Sequence, residues 1–244
     1  MVKNNAWNGR DPAISTKGGT GQAAFTQGDL LYASAANTLS KLPVGSGGQV
    51  LNSNGTIPVW GSSGAGSLVH IDKVTASASA SIDLTSAIDG TYDTYCLIGT
   101  QLLPSSVGRS ARLRVSTDNG STWKAGALDY AYYTRRRKFD DGVESVASSG
   151  NVPYMQLTAS GDVKNTTGGG FNFVLWLYSP YLTTANTRTT TYGNYLRNQA
   201  TGYAVDVRGS AIYKAVERVD AVQFLFNSGD VASGTLSIYG VVNS

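Results

Sequence analysis

The sequence predicts an all-β protein. An extended Gly-rich N-terminal arm over residues 1–67 precedes an antiparallel, jelly-roll-like β-sandwich over residues 68–244. Three observations carry this expectation. The 244 residues include 29 Gly, with a marked share placed between short apolar bursts near the N-terminus. From Leu68 onward, short segments rich in β-branched, aromatic and alternating residues recur between turn residues, as in sandwiches and jelly rolls. No segment carries a long helical period; Ala211 to Val219 offers the single candidate helical turn. Hydrophobic residues make up 41%, enough for a core, whereas charged residues are 14%, well below the roughly 25% of ordinary globular chains.

In the arm, the glycines cluster at Gly18-Gly19-Thr20-Gly21, Gly45-Ser46-Gly47-Gly48 and Gly61 to Gly66. Between them lie Leu30-Leu31-Tyr32, Leu39 to Val44, Val50-Leu51 and Ile57 to Trp60, each too short for an independent helix. Gly loses much backbone entropy on ordering, so such a segment folds poorly alone. Recurrent Leu, Val, Tyr and Trp nevertheless set it apart from a plain flexible linker, the alternative reading. The arm is expected to order by packing against other chains through Trp7, Leu30, Leu31, Tyr32, Leu39, Leu42, Val50, Leu51 and Trp60. A weak internal repeat aligns Gly19-Thr20-Gly21-Gln22 with Gly47-Gly48-Gln49, each followed by apolar residues, and suggests alternating turns and short strands.

The body reads as about ten strands. Leu68 to Val74 alternates apolar and polar residues, and Thr91 to Leu103 is rich in Tyr, Ile, Leu and Thr. Ala111 to Ser116 sets Leu113 and Val115 on one face and Arg112 and Arg114 on the other. Trp123 to Tyr133, Tyr154 to Ala159, Phe171 to Tyr178, Thr189 to Leu196, Tyr203 to Arg208, Val222 to Phe226 and Gly234 to Val242 complete the set.

Three stretches carry a family resemblance. Gly18 to Tyr32, continuing through Asn37 to Pro43, Gly48 to Gly55 and Pro58-Val59-Trp60, resembles a module of bacteriophage tail-fibre and related virion structural proteins. Val222 to Gly240 and Arg114 to Trp123 resemble parts of the β-sandwich domain of such proteins. The resemblance implies a homotrimer located in the virion and assembled in the host cytoplasm. It implies attachment to other virion proteins of tail or capsid through the Gly-rich module. It also implies a displayed sandwich that contacts the host surface, a glycan among the candidate partners. The alternative within the same resemblance is a capsid decoration or head-fibre protein that binds and stabilises the shell, which the short chain favours.

Composition argues against an enzyme. One Cys and one His leave no disulfide framework and no Cys- or His-rich metal centre, and Glu144 and Glu217 are the only Glu. No cofactor or metal is expected. No apolar run approaches the ~20 residues of a membrane span, and Met1 to Trp7 lacks the apolar stretch of a secretory signal. A net charge of +3 does not by itself argue for nucleic acid. His70 in an alternating strand, without a nucleophile elbow, reads as structural, and Cys96 as a small core residue. Asp140-Asp141 would serve glycoside hydrolysis only with two carboxyls facing across a cleft.

Three clusters remain. Ser116 to Trp123 fits the Ser-x-Asp-x-Gly-x-Thr-Trp pattern and resembles the Asp box of sialidase propellers, a structural hairpin in which Asp118 binds backbone amides, Gly120 takes positive φ and Trp123 packs beneath. Arg135-Arg136-Arg137-Lys138, followed by Asp140, Asp141 and Glu144, reads either as a solvated loop whose charges partly cancel or as a docking surface for an anionic glycan, nucleic acid or a neighbouring subunit. Tyr192, Tyr195 and Arg197, with Arg188 and Asn194, form a second candidate binding surface, because aromatics beside Arg suit sugar and interface contacts.

Overall fold

The computed structural model describes residues 19–62, 67–159, 161–198 and 203–242; Trp7 lies outside the described residues. The chain divides into two units, Met1–Ala65 and Gly66–Ser244. Among the described residues there is no helix, and both units are built from antiparallel strands.

The first unit is a pair of hairpins. β1 (Leu30–Ala35) pairs with β2 (Thr38–Leu42), and β3 (Gln49–Ser53) pairs with β4 (Pro58–Ser62). Both hairpins are entered by the same turn. The Thr26 amide donates to Asp29 Oδ2 at 2.7 Å and the Asp29 amide to the Thr26 carbonyl at 3.0 Å, around Gly28 at φ 89°. The Ser46 amide donates to Gln49 Oε1 at 2.7 Å and the Gln49 amide to the Ser46 carbonyl at 3.1 Å, around Gly48 at φ 86°. An acceptor side chain closing back on the first residue of a turn with glycine third explains why both segments carry Gly before Asp or Gln. The structural repeat therefore aligns Asp29 with Gln49. This corrects the alignment of Gln22 with Gln49, because the turn needs the acceptor immediately after the positive-φ Gly. Trp60 Nε1 donates to the Pro43 carbonyl at 2.6 Å, tying the second hairpin to the segment that enters it.

The second unit holds β5 (Leu68–Ser79), β6 (Ile82–Leu84), β7 (Thr94–Pro104), β8 (Ala111–Ser116), β9 (Tyr130–Lys138), β10 (Glu144–Val152), β11 (Met155–Gln156), β12 (Phe171–Tyr178), β13 (Arg188–Leu196), β14 (Ala204–Tyr213), β15 (Ala221–Phe226) and β16 (Val231–Val241). They form an eight-stranded sheet, β10-β9-β14-β13-β12-β7-β16-β5, and a four-stranded sheet, β11-β8-β15-β6. The alternation of each strand sends one set of side chains into a shared core. Phe173 of β12 stacks on Phe224 of β15 at 5.9 Å between ring centroids, and both sheets contribute to one buried cluster that includes Leu97, Leu113, Val115, Leu175, Val207 and Leu236. Two antiparallel sheets around one core are consistent with a β-sandwich.

Several expectations are corrected here. Ala211 to Val219 is not helical: β14 runs to Tyr213, and the residues beyond it are irregular. Arg135 to Lys138 is not a loop but the end of β9, paired on one side with β10 and on the other with β14. Trp123 to Leu128 is irregular, and the strand begins at Tyr130. The sequence reading also passed over β10, an edge strand with half of its ladder open to solvent. Edge strands need no apolar alternation, so Ser and Gly there give no periodic signal.

Candidate functional site

Strand alternation splits the basic run Arg135 to Lys138. Tyr130, Thr134, Arg136 and Lys138 point to the inner side of β9, while Tyr133, Arg135 and Arg137 share the outer face. The outer face of β13 carries Arg188, Thr190, Tyr192 and Asn194, and that of β14 carries Asp206, Arg208 and Ser210. Register then brings together residues distant in sequence: Arg135 lies opposite Arg208, Arg208 opposite Tyr192, and Tyr192 opposite Val174. One row along, Tyr133, Ser210, Thr190 and Trp176 align in the same way.

The result is an open depression of about 290 Å³ lined by Tyr133, Arg135, Thr190, Tyr192, Arg208 and Ser210. Tyr192 and Tyr133 are about half exposed, at 50% and 49%. The Arg208 guanidinium lies 5.9 Å from the Tyr192 ring centroid, a cation–π distance. Its Nε sits 3.3 Å from Asp206, and Arg135 sits 3.7 Å from Glu144. This face offers guanidinium groups, phenol rings and hydroxyls together.

The other members of the predicted surface belong elsewhere. Tyr195 and Arg197 are buried and Arg136 nearly so, so none of them is a surface-binding residue. All three converge on Asp162: Tyr195 donates its hydroxyl at 2.6 Å, Arg197 Nε lies at 3.0 Å, and Arg136 Nη1 bonds the same carboxylate. Burial pushes the Asp162 carboxyl up, but Tyr195, Arg136 and Arg197 outweigh it and hold the group below its ordinary range. Burial and the adjacent carboxylate push the Tyr195 hydroxyl well up. A carboxylate ringed by two guanidinium groups and a phenol satisfies charges that could not otherwise be taken out of water. The sequence hid this node because Asp162 lies far from its partners along the chain.

Lys138 also turns inward and binds Asp141 at 2.9 Å within the β9–β10 turn, where Asp141 accepts the Val143 amide at 2.8 Å. His70 packs edge-on against Tyr239 at 5.3 Å, and Cys96 is buried. Among the described residues, no group of three or more His, Cys, Asp and Glu is placed to hold a metal ion.

The Asp118 loop has the local bonds its pattern suggests. Ser116 Oγ lies 2.7 Å from Asp118 Oδ1; the Thr122 amide donates to Asp118 Oδ1 at 2.8 Å and the Thr122 hydroxyl to Oδ2 at 2.6 Å. These bonds, the Thr122 hydroxyl first, bring the Asp118 carboxyl down to about 2. Gly120 has φ 82°, and half-buried Trp123 lies beside it. The element is a closed turn rather than a two-stranded hairpin. Lys124 returns one bond to Val115, but the chain then leaves β8 for β9 in the other sheet.

Comparison with known proteins finds no matching family model, no matching curated protein and no matching solved structure. Arg208, which lines the open depression, is a residue that sequence reasoning did not single out. Only the β9–β14–β13 register places it beside Arg135 and Tyr192.

Proposed function

We propose that this chain is a structural subunit of a bacteriophage particle, of the tail-fibre or spike type. In this reading it is a homotrimer. Residues 1–67 form the arm that attaches to the particle and to its trimer mates, and the jelly-roll-like sandwich over 68–244 is displayed toward the host surface. The observation that carries it is the first unit's exposed apolar surface. Among its described residues none is buried, while Phe25, Leu30, Leu31, Val44, Val50 and Leu51 are 38–58% exposed. Burying a Leu or Val side chain fully contributes about 1.5–3 kcal/mol, so three copies meeting on these residues would supply the core that one copy lacks. Leu39, Leu42, Tyr32 and Trp60 are half-buried and would complete that contact. The module resemblance of Gly18 to Trp60 points the same way.

Light scattering on the full chain tests this. A mass three times that of the chain is expected, falling to the monomer in the double variant Leu30→Asp/Leu51→Asp. A monomeric wild-type chain overturns the trimer. Gold-labelled antibody on particles should decorate the tail; labelling over the shell would replace the fibre reading with the decoration reading.

A further inference from the structure

We propose that the outer face of the eight-stranded sheet binds an acidic polysaccharide whose carboxylates are separated by uncharged sugars, with Arg135 and Arg208 clamping a carboxylate and Tyr192 stacking against a sugar ring. The inference names the ligand of the displayed body and takes its biological setting from the reading above. Its physical basis is independent of that reading.

Arg135 and Arg208 face each other across neighbouring strands. Like charges directly opposite in a sheet destabilise it. Each guanidinium has one carboxylate beside it, Glu144 at 3.7 Å from Arg135 and Asp206 at 3.3 Å from Arg208, in pairs whose side chains are 40–56% exposed, and each keeps further N–H donors for another anion. Such pairs contribute little in water. These exposed pairs offset the Arg135–Arg208 repulsion only in part, and an anion seated between the two groups makes the juxtaposition favourable. Beside it, Tyr192 offers a half-exposed ring already oriented by Arg208.

The shape selects a polymer. The depression beside Arg208 is continued through Tyr192 into a second of about 380 Å³ that includes Asn172, Val174 and Asn194. Through Thr190 and Ser210 it continues into a third of about 480 Å³ that includes Tyr178 and Arg188. Three shallow depressions joined through shared residues cover parts of five strands, unlike the single enclosed pocket of a small ligand.

The charge pattern selects the polymer's class. Arg135, Arg137, Arg188 and Arg208 alternate with Glu144, Asp206 and Asp93 on or beside this face. A nucleic acid strand carries a charge about every 3.4 Å and would meet those carboxylates repeatedly. A sparsely charged glycan places hydroxyls against them and against Thr190, Ser210, Asn172 and Asn194.

Affinity electrophoresis of the full chain through gels containing lightly substituted carboxymethyl-dextran tests the proposal, with plain dextran and oligodeoxythymidylate gels alongside. Carboxymethyl-dextran should retard the wild-type protein and plain dextran should not. Arg208→Gln and Tyr192→Ala should each weaken retardation about tenfold, the scale of one lost charge-assisted or stacking contact. Arg114→Gln, on the other sheet, should leave it unchanged. Both residues are exposed, so the variants should keep their circular dichroism and melting temperature. No retardation of the wild type, or retardation of both variants as strong as that of the wild type, overturns the proposal. Stronger retardation by oligodeoxythymidylate than by carboxymethyl-dextran replaces it with nucleic-acid binding. Light scattering on the same samples separates the two readings: a monomer that binds overturns only the trimer, and a trimer that does not bind overturns only the glycan.

Discussion

Replacing Asp162 by Ala should unfold the body more readily than any exposed charge substitution. The carboxylate accepts from Tyr195, Arg197 and Arg136, and the three ionic side chains are only 10–18% exposed. Its removal leaves two poorly solvated guanidinium groups without a counter-charge and a buried phenol without its acceptor. Breaking a buried pair from one side costs about 3–5 kcal/mol, and the residual exposure here places the loss near the lower end, about 3 kcal/mol. For a body of this size that corresponds to a melting temperature lower by roughly 6–12 °C. Asp162→Asn keeps an acceptor and should lose about half as much. Guanidinium chloride unfolding followed by tryptophan fluorescence, together with calorimetry, measures both variants. The pH dependence supplies a second check. The folded Asp162 carboxyl lies below its ordinary value of 3.8, so its stabilisation is complete at neutral pH and fades as pH falls below about 4 toward the folded value. Asp162→Asn should lack that part of the acid slope. A loss under about 0.5 kcal/mol in Asp162→Ala, the range of ordinary surface substitutions, would refute the claim that this carboxylate holds the charges of Arg136 and Arg197 in the folded body.

Gly120→Ala should destabilise by about 1–3 kcal/mol, because φ is 82° and the new Cβ would stand 2.4 Å from Thr85 Cγ2; thermal unfolding reads it directly. Phe224→Ala should cost about 3–5 kcal/mol by opening the inter-sheet contact with Phe173 and the contact with Phe226 of its own strand, measured by denaturant titration. Carbon-detected NMR titration should place the Asp118 carboxyl near 2, and Thr122→Val should move it upward by removing the strongest of its bonds. Since that folded value is depressed, the loop's contribution is present above about pH 4 and is lost between there and about pH 2.

What sequence alone determined about this protein was whatever depends on near neighbours. Alternation at Ala111 to Ser116 marked a strand whose Leu113 and Val115 are buried. The spacing of Ser116, Asp118, Gly120 and Thr122 specified a turn whose bonds span only a few residues. Gly before Asp29 and before Gln49 signalled turns, though the repeat was aligned on the wrong residue. Tertiary structure alone decided which charges are partners and which are displayed. A period of two places Arg136 and Arg137 on opposite faces, but nothing in their sequence says which face is covered. That depends on β9 lying beside β14, with Asp162 arriving from a distant loop. The same register turned Arg208, an unremarked strand residue, into the neighbour of Arg135 and Tyr192, and drew Tyr195 and Arg197 inside. Local bonds follow from chain connectivity, whereas cross-strand pairing follows from how the sheets bury their apolar faces, a choice made by the whole core at once.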